Sequence, residues 1–369
     1  MGGRLRALIA KEVLAALRDP RSRMMLIMPP LLQLLVFSYA ATLEVTNVSI
    51  GVLNRDAGRW GVEFVERLEG SPTFTEIVAL QGIPQIQTAI DLRQVIAVLQ
   101  IGPDFSRNIE AGQPATAQVI LDGRRSNAAQ IVQGYLTVIA EQIGATVDAE
   151  HGVQPLAVGP IDRNWFNPNL EYTWFTVPSL IGMITLLASL TITGLSVARE
   201  RELGTFDQLM VSPLRVHEIL IGKTIPPLLV GLFQATVFVL AAVFIFAIPL
   251  RGSLLLLYGS LLVYQAAVIG IGLFVSALSQ TQQQAFLGSF LFAVPAILLS
   301  GFASPVENMP DWLQIVSLAD PLRYFLVIVK GIFLKAMSVE QVWQNTWPLA
   351  VIAIVTLGSA ALLFTKRLE

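Results

Sequence analysis

The spacing of the long uncharged apolar runs constrains this chain most: one lies near the N-terminus, and the others follow in close succession only after a polar stretch. Crossing a hydrocarbon layer about 30 Å thick takes roughly 20 helical residues. About six runs approach that length, at 24–43, 174–198, 225–248, 254–278, 285–302 and 347–365. Within 44–173 carboxylates and arginines recur every few residues, so no window there could sit in lipid, and the segment reads as a folded, water-soluble domain. Composition agrees, because 54% hydrophobic against 14% charged residues and a mean hydropathy of +0.65 exceed what an ordinary soluble domain keeps in water. A net charge of -2 gives no indication of nucleic acid as a partner. With no cysteine and only His151 and His217, disulfides, thiolate chemistry and a histidine metal cluster are excluded.

Orientation follows from lysine and arginine, which resist translocation and stay on the cytoplasmic side. Arg4, Arg6, Lys11, Arg18, Arg21 and Arg23 precede the first run; Arg199, Arg201, Arg215 and Lys223 lie between the second and third; Lys366 and Arg367 follow the last. The opposite connections are poor in basic residues: Arg251 is alone in its loop, and the inserted domain has no lysine and more carboxylates than arginines. Both termini are therefore expected inside, with the domain outside and the loop 279–284 placed inside by parity. The expected fold class is a polytopic α-helical membrane protein of about six transmembrane helices with an inserted extracytoplasmic α/β domain. In segment 1–23, Leu5, Leu8, Ile9, Val13, Ala16 and Leu17 fall opposite Arg6, Lys11 and Arg18, the pattern of an amphipathic helix on the inner membrane face. Ser38-Tyr39-Ala40 imitates a signal-cleavage site, but the long charged region before it favours an uncleaved span.

In the inserted domain, β-branched and alternating runs predict strands at 48–53, 74–80, 95–101 and 117–121. Helical spacing predicts helices at 60–68, 84–92, 104–110, the last capped by Asp104, and 126–149. Such alternation argues for a sheet covered by helices. A scaffold for contacts outside the membrane is the plain reading of this domain; sensor and substrate-chaperoning readings also exist.

The charged connection 199–224 holds the most information. Gly204 breaks the helix leaving the lipid, Thr205 can cap a new one, and Asp207 and Gln208 fall in its first turn. Phe206, Leu209 and Met210 share a face, and Pro213 ends the segment after Ser212. The physics alone describes a short amphipathic helix resting at the membrane surface.

Several stretches, in this order and spacing, resemble the type-2 ABC transporter permeases of bacteria over essentially the whole chain. They are Arg18-Asp19-Pro20-Arg21; Arg201 to Leu209 with Ser212-Pro213; Ser300-Gly301-Phe302; Pro305, Asn308-Met309-Pro310-Asp311-Trp312-Leu313; Asp320-Pro321-Leu322-Arg323-Tyr324; and Gly331 to Lys335. The resemblance implies a multi-pass subunit of the bacterial cytoplasmic membrane. Two copies, or one with a paralogue, would form a pathway above two ABC ATPase subunits, which bind ATP and magnesium; this chain itself would bind no cofactor. It further implies that Glu202, Gly204, Thr205, Phe206, Asp207, Leu209, Met210, Ser212 and Pro213 form a coupling helix docked on the ATPase. The inserted domain aligns the chain with multidrug-type exporters of small amphipathic compounds, some of which work with a periplasmic adaptor protein.

The chain supplies no ATPase signature of its own. Gly222-Lys223-Thr224 ends like a phosphate loop, but His217 stands where glycine is required. Segment 303–346, interrupted by Pro305, Pro310 and Pro321, is expected to form short re-entrant or interfacial helices near an outer gate, involving Asn308, Trp312 and Tyr324. Irregular backbone at that depth must be shielded by protein or face water. Within the runs, Gln33, Gln234 and Gln265 are the polar candidates for a pathway, although interhelical hydrogen bonding accounts for such residues equally well. Ionisable groups inside the runs are too few for an ion-coupled carrier. A stand-alone membrane receptor using the outer domain is the competing reading.

Overall fold

The computed structural model describes residues 28, 30–37, 47–152, 166–167, 171–204 and 216–366. It divides into two compact units, 43–162 and the rest of the chain. The amphipathic segment expected at 1–23 lies outside the described residues, as does most of the first apolar run, which is helical at Met28 and 30–37.

The inserted unit runs β1 (Val48–Asn54), α1 (Arg59–Glu69), β2 (Phe74–Ala79), α2 (Ile83–Asp91), β3 (Ala97–Ile101), α3 (Phe105–Glu110), β4 (Ala117–Leu121) and α4 (Ser126–Glu150). The strands form one sheet in the order β2-β1-β3-β4, with β1 parallel to both neighbours and β4 an antiparallel edge. Strand side chains alternate between faces, and the two cores follow that rule. Val48, Ile50 and Val52 of β1, with Ala97, Leu99 and Ile101 of β3, face Trp60 and Phe64 of α1, Phe105 of α3 and Val132, Leu136, Ile139 and Ile143 of α4. Leu53 and Val98 point the other way, against Ile86 and Ala89 of α2. Each of these large buried side chains contributes about 1.5–3 kcal/mol, and shifting β1 by one residue would move every one to the wrong face.

The turn after β1 is locked by Asp56. Its Oδ2 accepts from Ser106 Oγ at 2.5 Å and from the Gly61 amide at 3.2 Å, while Ser106 Oγ accepts from the Trp60 amide at 2.9 Å. A carboxylate at the α1 N-terminus complements the helix dipole, and the same bonds tie α1 to α3. Asp104, expected as a cap, makes no capping bond; its carboxylate pairs with Arg107 at 2.7 Å, where the ionic partner outcompetes the amides.

In the other unit, five helices among the described residues are long and apolar enough to cross a membrane. They are α5 (Tyr172–Glu202), α6 (Val216–Phe244), α7 (Leu254–Leu278), α8 (Gln282–Leu299) and, after two shorter helices α9 (Asp311–Val316) and α10 (Pro321–Lys335), α11 (Val339–Lys366). The core joins Leu180, Ile181 and Ile184 of α5, Phe238 and Ala242 of α6, Leu261 and Tyr264 of α7, and Phe325 and Ile328 of α10. Tyr264 stacks on Phe325 with ring centroids 4.4 Å apart, and its hydroxyl donates to the Gly182 carbonyl at 2.8 Å. Gly182 permits this approach: a Cβ there would lie 2.9 Å from Phe325 Cδ1 and 3.0 Å from Leu322 Cδ1.

Element ends depart from the hydropathy runs where polar residues continue a helix. α6 begins at Val216 and α11 at Val339, well before residues 225 and 347, because hydropathy sees lipid-compatible residues whereas the helix extends through His217, Glu218 and Lys223 or Glu340 and Asn345. α8 stops at Leu299, before residue 302, since Gly301 takes φ +85°. Helix α10, at fifteen residues, is too short to cross the hydrocarbon. It starts at Pro321 behind Asp320, whose Oδ1 accepts from the Leu322 amide at 2.9 Å.

Candidate functional site

Three successive charged residues at the end of α5 each hold a different helix. Glu200 Oε2 lies 2.8 Å from Lys223 Nζ of α6, with the lysine and glutamate side chains only 2% and 12% exposed, and Lys223 also donates to Ser196 Oγ at 3.3 Å. Arg201 Nη1 donates to the carbonyls of Ala277 at 3.0 Å and Ser279 at 2.8 Å, at the C-terminal end of α7. Glu202 Oε2 accepts from the backbone amide of Gln282 at 3.0 Å and from its Nε2 at 3.1 Å, at the start of α8. The signs match the dipoles: a cation meets the carbonyl end of α7, and an anion meets the amide end of α8.

Helix α5 ends at Glu202 with Leu203 as its C-cap, and Gly204 takes φ +68°, a conformation costly for any residue bearing a Cβ. The chain leaves α5 here and re-enters the described structure at α6, so Glu200 and Lys223 grip both sides of segment 205–215. Of the residues named for coupling, Glu202 and Gly204 occupy this junction; Thr205, Phe206, Asp207, Leu209, Met210, Ser212 and Pro213 lie outside the described residues. Neither Arg201 nor Lys223 was expected from sequence to tie one helix to another. A lysine embedded in Ile221-Gly222-Lys223-Thr224-Ile225 was the available sign that it needed a buried partner.

The residues named for an outer gate fall in a segment tied by its own hydrogen bonds. Pro305 precedes a 3₁₀ turn at Val306–Asn308, Pro310 precedes α9, and Trp312 projects from α9 into the open. Gln314 Nε2 donates to the Met309 carbonyl at 2.9 Å; Arg323 Nη1 donates to Ser317 Oγ at 2.5 Å and to the Gln314 carbonyl at 3.2 Å; Tyr324 donates to the Leu318 carbonyl at 3.0 Å. Pro321 and Tyr324 therefore share α10, which the preceding turns bind end to end. Asp320, not singled out from sequence, is buried at this junction. Burial raises its pKa to about 7, against the opposing pull of the Leu322 and Arg323 amides and the Arg323 charge. Its Oδ2 has no hydrogen-bond partner among the described residues.

Gln265 of α7 is fully buried and accepts from Ser189 Oγ of α5 at 2.5 Å; Gln234 of α6 is buried as well, and Gln33 is half-buried on the first helix. Gln265 thus joins α5 to α7, the interhelical role open to such residues.

Comparison with known proteins bears on this whole arrangement. The profile of the ABC-2 family transporter proteins matches residues 21–362. The probable multidrug ABC transporter permease YbhR of Escherichia coli K12 is 46% identical over 364 residues, covering 99% of this chain and 98% of that protein. The probable multidrug ABC transporter permease YbhS of the same strain is 30% identical over 373 residues, with 99% and 98% covered. The inner membrane transport permease YhhJ, also of K12, is 29% identical over 287 residues, covering 77% of this chain and 76% of its own length.

Proposed function

This chain belongs to the ABC-2 family of transporter proteins and is the transmembrane subunit of an ABC transporter; from that premise we propose that it exports a small amphipathic or hydrophobic compound, powered by ATP hydrolysed on a separate subunit. The names of the relatives, multidrug permeases over nearly their full length, support the cargo class. The absence of a phosphate loop in this sequence supports the division of labour. The pathway would form between two copies, or between this chain and a paralogue, in the cytoplasmic membrane with both termini inside. Magnesium and ATP would belong to the partner ATPase, and a periplasmic adaptor could engage the inserted domain from outside.

One observation carries the mechanism. The junctions on either side of 205–215 are welded to four helices by Glu200–Lys223, Arg201–Ser279 and Glu202–Gln282. A segment free to slide on the membrane surface would need no such fastening. A docking helix that transmits closure of an ATPase into the spans needs it, because force applied to 205–215 must move α5, α6, α7 and α8 rather than bend their ends. The segment 303–346 would respond at the far end, where α10 packs on α5 at Gly182 and on α7 through the Tyr264–Phe325 stack.

The test is isolation of the chain from native membranes with its ATP-binding partner. Glu202→Arg and Phe206→Asp are expected to abolish the association while leaving the chain in the membrane. Undiminished binding of the partner to both variants would sink the coupling assignment.

A further inference from the structure

The described residues of the inserted unit frame a cleft. It measures about 400 Å³ and lies between α1, α3, β3, β4 and α4, within the usual range of small-molecule sites, roughly 300–1,000 Å³. Leu99 and Val119 of the sheet form the floor, Phe64 and Phe105 one wall, and Ile143 and Val147 of α4 the other. Small residues border it: Ala115 and Ala117 are half-buried, and Ala140 and Gly144 stand on the exposed side of α4. The wall is held open in a fixed shape. Asp56 and Ser106 bind α1 to α3 through buried hydrogen bonds, and Arg67 of α1 donates to Thr146 of α4 at 3.0 Å.

The polar groups at the cleft are few and one-sided. Gln133, Thr137 and Asp148 are exposed along α4, and among the described residues Asp148 is the only ionisable side chain lining the cleft. Among the described residues no arginine lines it, and two arginines of α1 are already engaged: Arg59 with Glu150 at 2.7 Å and Arg67 with Glu63 at 2.8 Å. Asp148 has neither an ion pair nor a hydrogen bond among the described residues. An aromatic and aliphatic chamber with a lone carboxylate at its rim suits a molecule that is apolar over most of its surface and positively charged at one end.

We propose that the inserted domain binds an amphipathic organic cation in this cleft, its apolar body between Phe64, Phe105 and Val147 and its charge beside Asp148. An anionic ligand of the same shape would meet the carboxylate with no compensating base. Every lining residue belongs to the inserted unit, so the site stands or falls separately from the export reading.

The probe is tetraphenylphosphonium, with tetraphenylborate as its isosteric anion. Equilibrium dialysis is run against the full chain in lipid nanodiscs, with empty nanodiscs subtracted. The wild type is expected to show one saturable site per chain for the cation and at least tenfold weaker binding of the anion. Gly144→Leu fills the chamber; a Cβ at Gly144 meets nothing within 4 Å, so the helix tolerates it, and saturable binding is expected to disappear. Asp148→Asn removes the charge without changing shape and is expected to weaken the cation about three- to fivefold, the range of a solvent-exposed ion pair. Equal binding of cation and anion overturns the proposal, as does unchanged cation binding in Gly144→Leu. The absence of a saturable site in the wild type overturns it too.

Discussion

Removing either half of the Glu200–Lys223 pair should destabilise the membrane unit far more than removing both. At 2.8 Å, with an effective dielectric of about 20, the attraction is about 6 kcal/mol before desolvation is counted. Among the described residues Lys223 has Ser196 Oγ, at 3.3 Å, as its one other partner, so there Glu200→Gln leaves a buried ammonium with one neutral acceptor. Breaking a buried pair in this way costs about 3–5 kcal/mol, whereas replacing both members with uncharged side chains of similar volume is often near neutral. For a unit of this size such a loss lowers the melting temperature by on the order of 10 °C. The assay is a double-mutant cycle of Glu200→Gln, Lys223→Met and the pair, with thermal unfolding in detergent followed by tryptophan emission. The double variant should recover most of what either single variant loses. Additive losses, or single variants within about 0.5 kcal/mol of wild type, would refute the argument that this pair is a desolvated tie between α5 and α6.

Asp320 predicts a pH dependence of opposite sign to the usual carboxylate. Its pKa rises from 3.8 unfolded to about 7 folded, so the folded chain holds a proton the unfolded chain has lost. Stability is therefore fully present below about pH 4 and falls as pH rises to about 7; at about 1.4 kcal/mol per pH unit the loss is about 4 kcal/mol. Asp320→Asn, which keeps the acceptor for the Leu322 amide but carries no charge, should melt almost independently of pH between 5 and 8, and parallel profiles for the two proteins would refute it. Gly182→Leu should cost at least about 1–3 kcal/mol by overpacking against Phe325 and Leu322, and Gly182→Ala less. Equal melting temperatures for wild type and the leucine variant would show that α5 and α10 do not pack at this contact.

Much of the local structure was legible from residues because its causes are local. The strand Val48–Asn54 carries β-branched residues at alternate positions and ends in a turn-forming Asn-Arg-Asp-Ala-Gly run, and each strand of the sheet falls on a run read as a strand. Helix α7 coincides with the uncharged run 254–278, bracketed by Gly252-Ser253 on one side and Ser279 on the other, residues that favour helix ends over helix interiors. The tertiary features were not legible. Glu200 and Lys223 are separated by a loop, and each alone looks like a positive-inside or solvated-end charge; only the packing of α5 on α6 turns them into a pair. Arg201 binds backbone carbonyls, which leave no side-chain signature. Asp320 enters the sequence only as the first residue of the stretch Asp320 to Tyr324, and its raised pKa follows from burial that only the folded helices create. The cleft under α4 is likewise a property of how the elements pack, which Ala140 and Gly144 do not announce.

The central claim is that this chain conducts the cargo while a separate subunit supplies the energy. Proteoliposomes containing the chain together with its ATP-binding partner, facing outward, test it by following accumulation of a fluorescent lipophilic cation. The account predicts ATP-dependent accumulation that requires both proteins and is lost in Glu202→Arg. Transport by this chain alone, driven by an ion gradient without ATP, would contradict it.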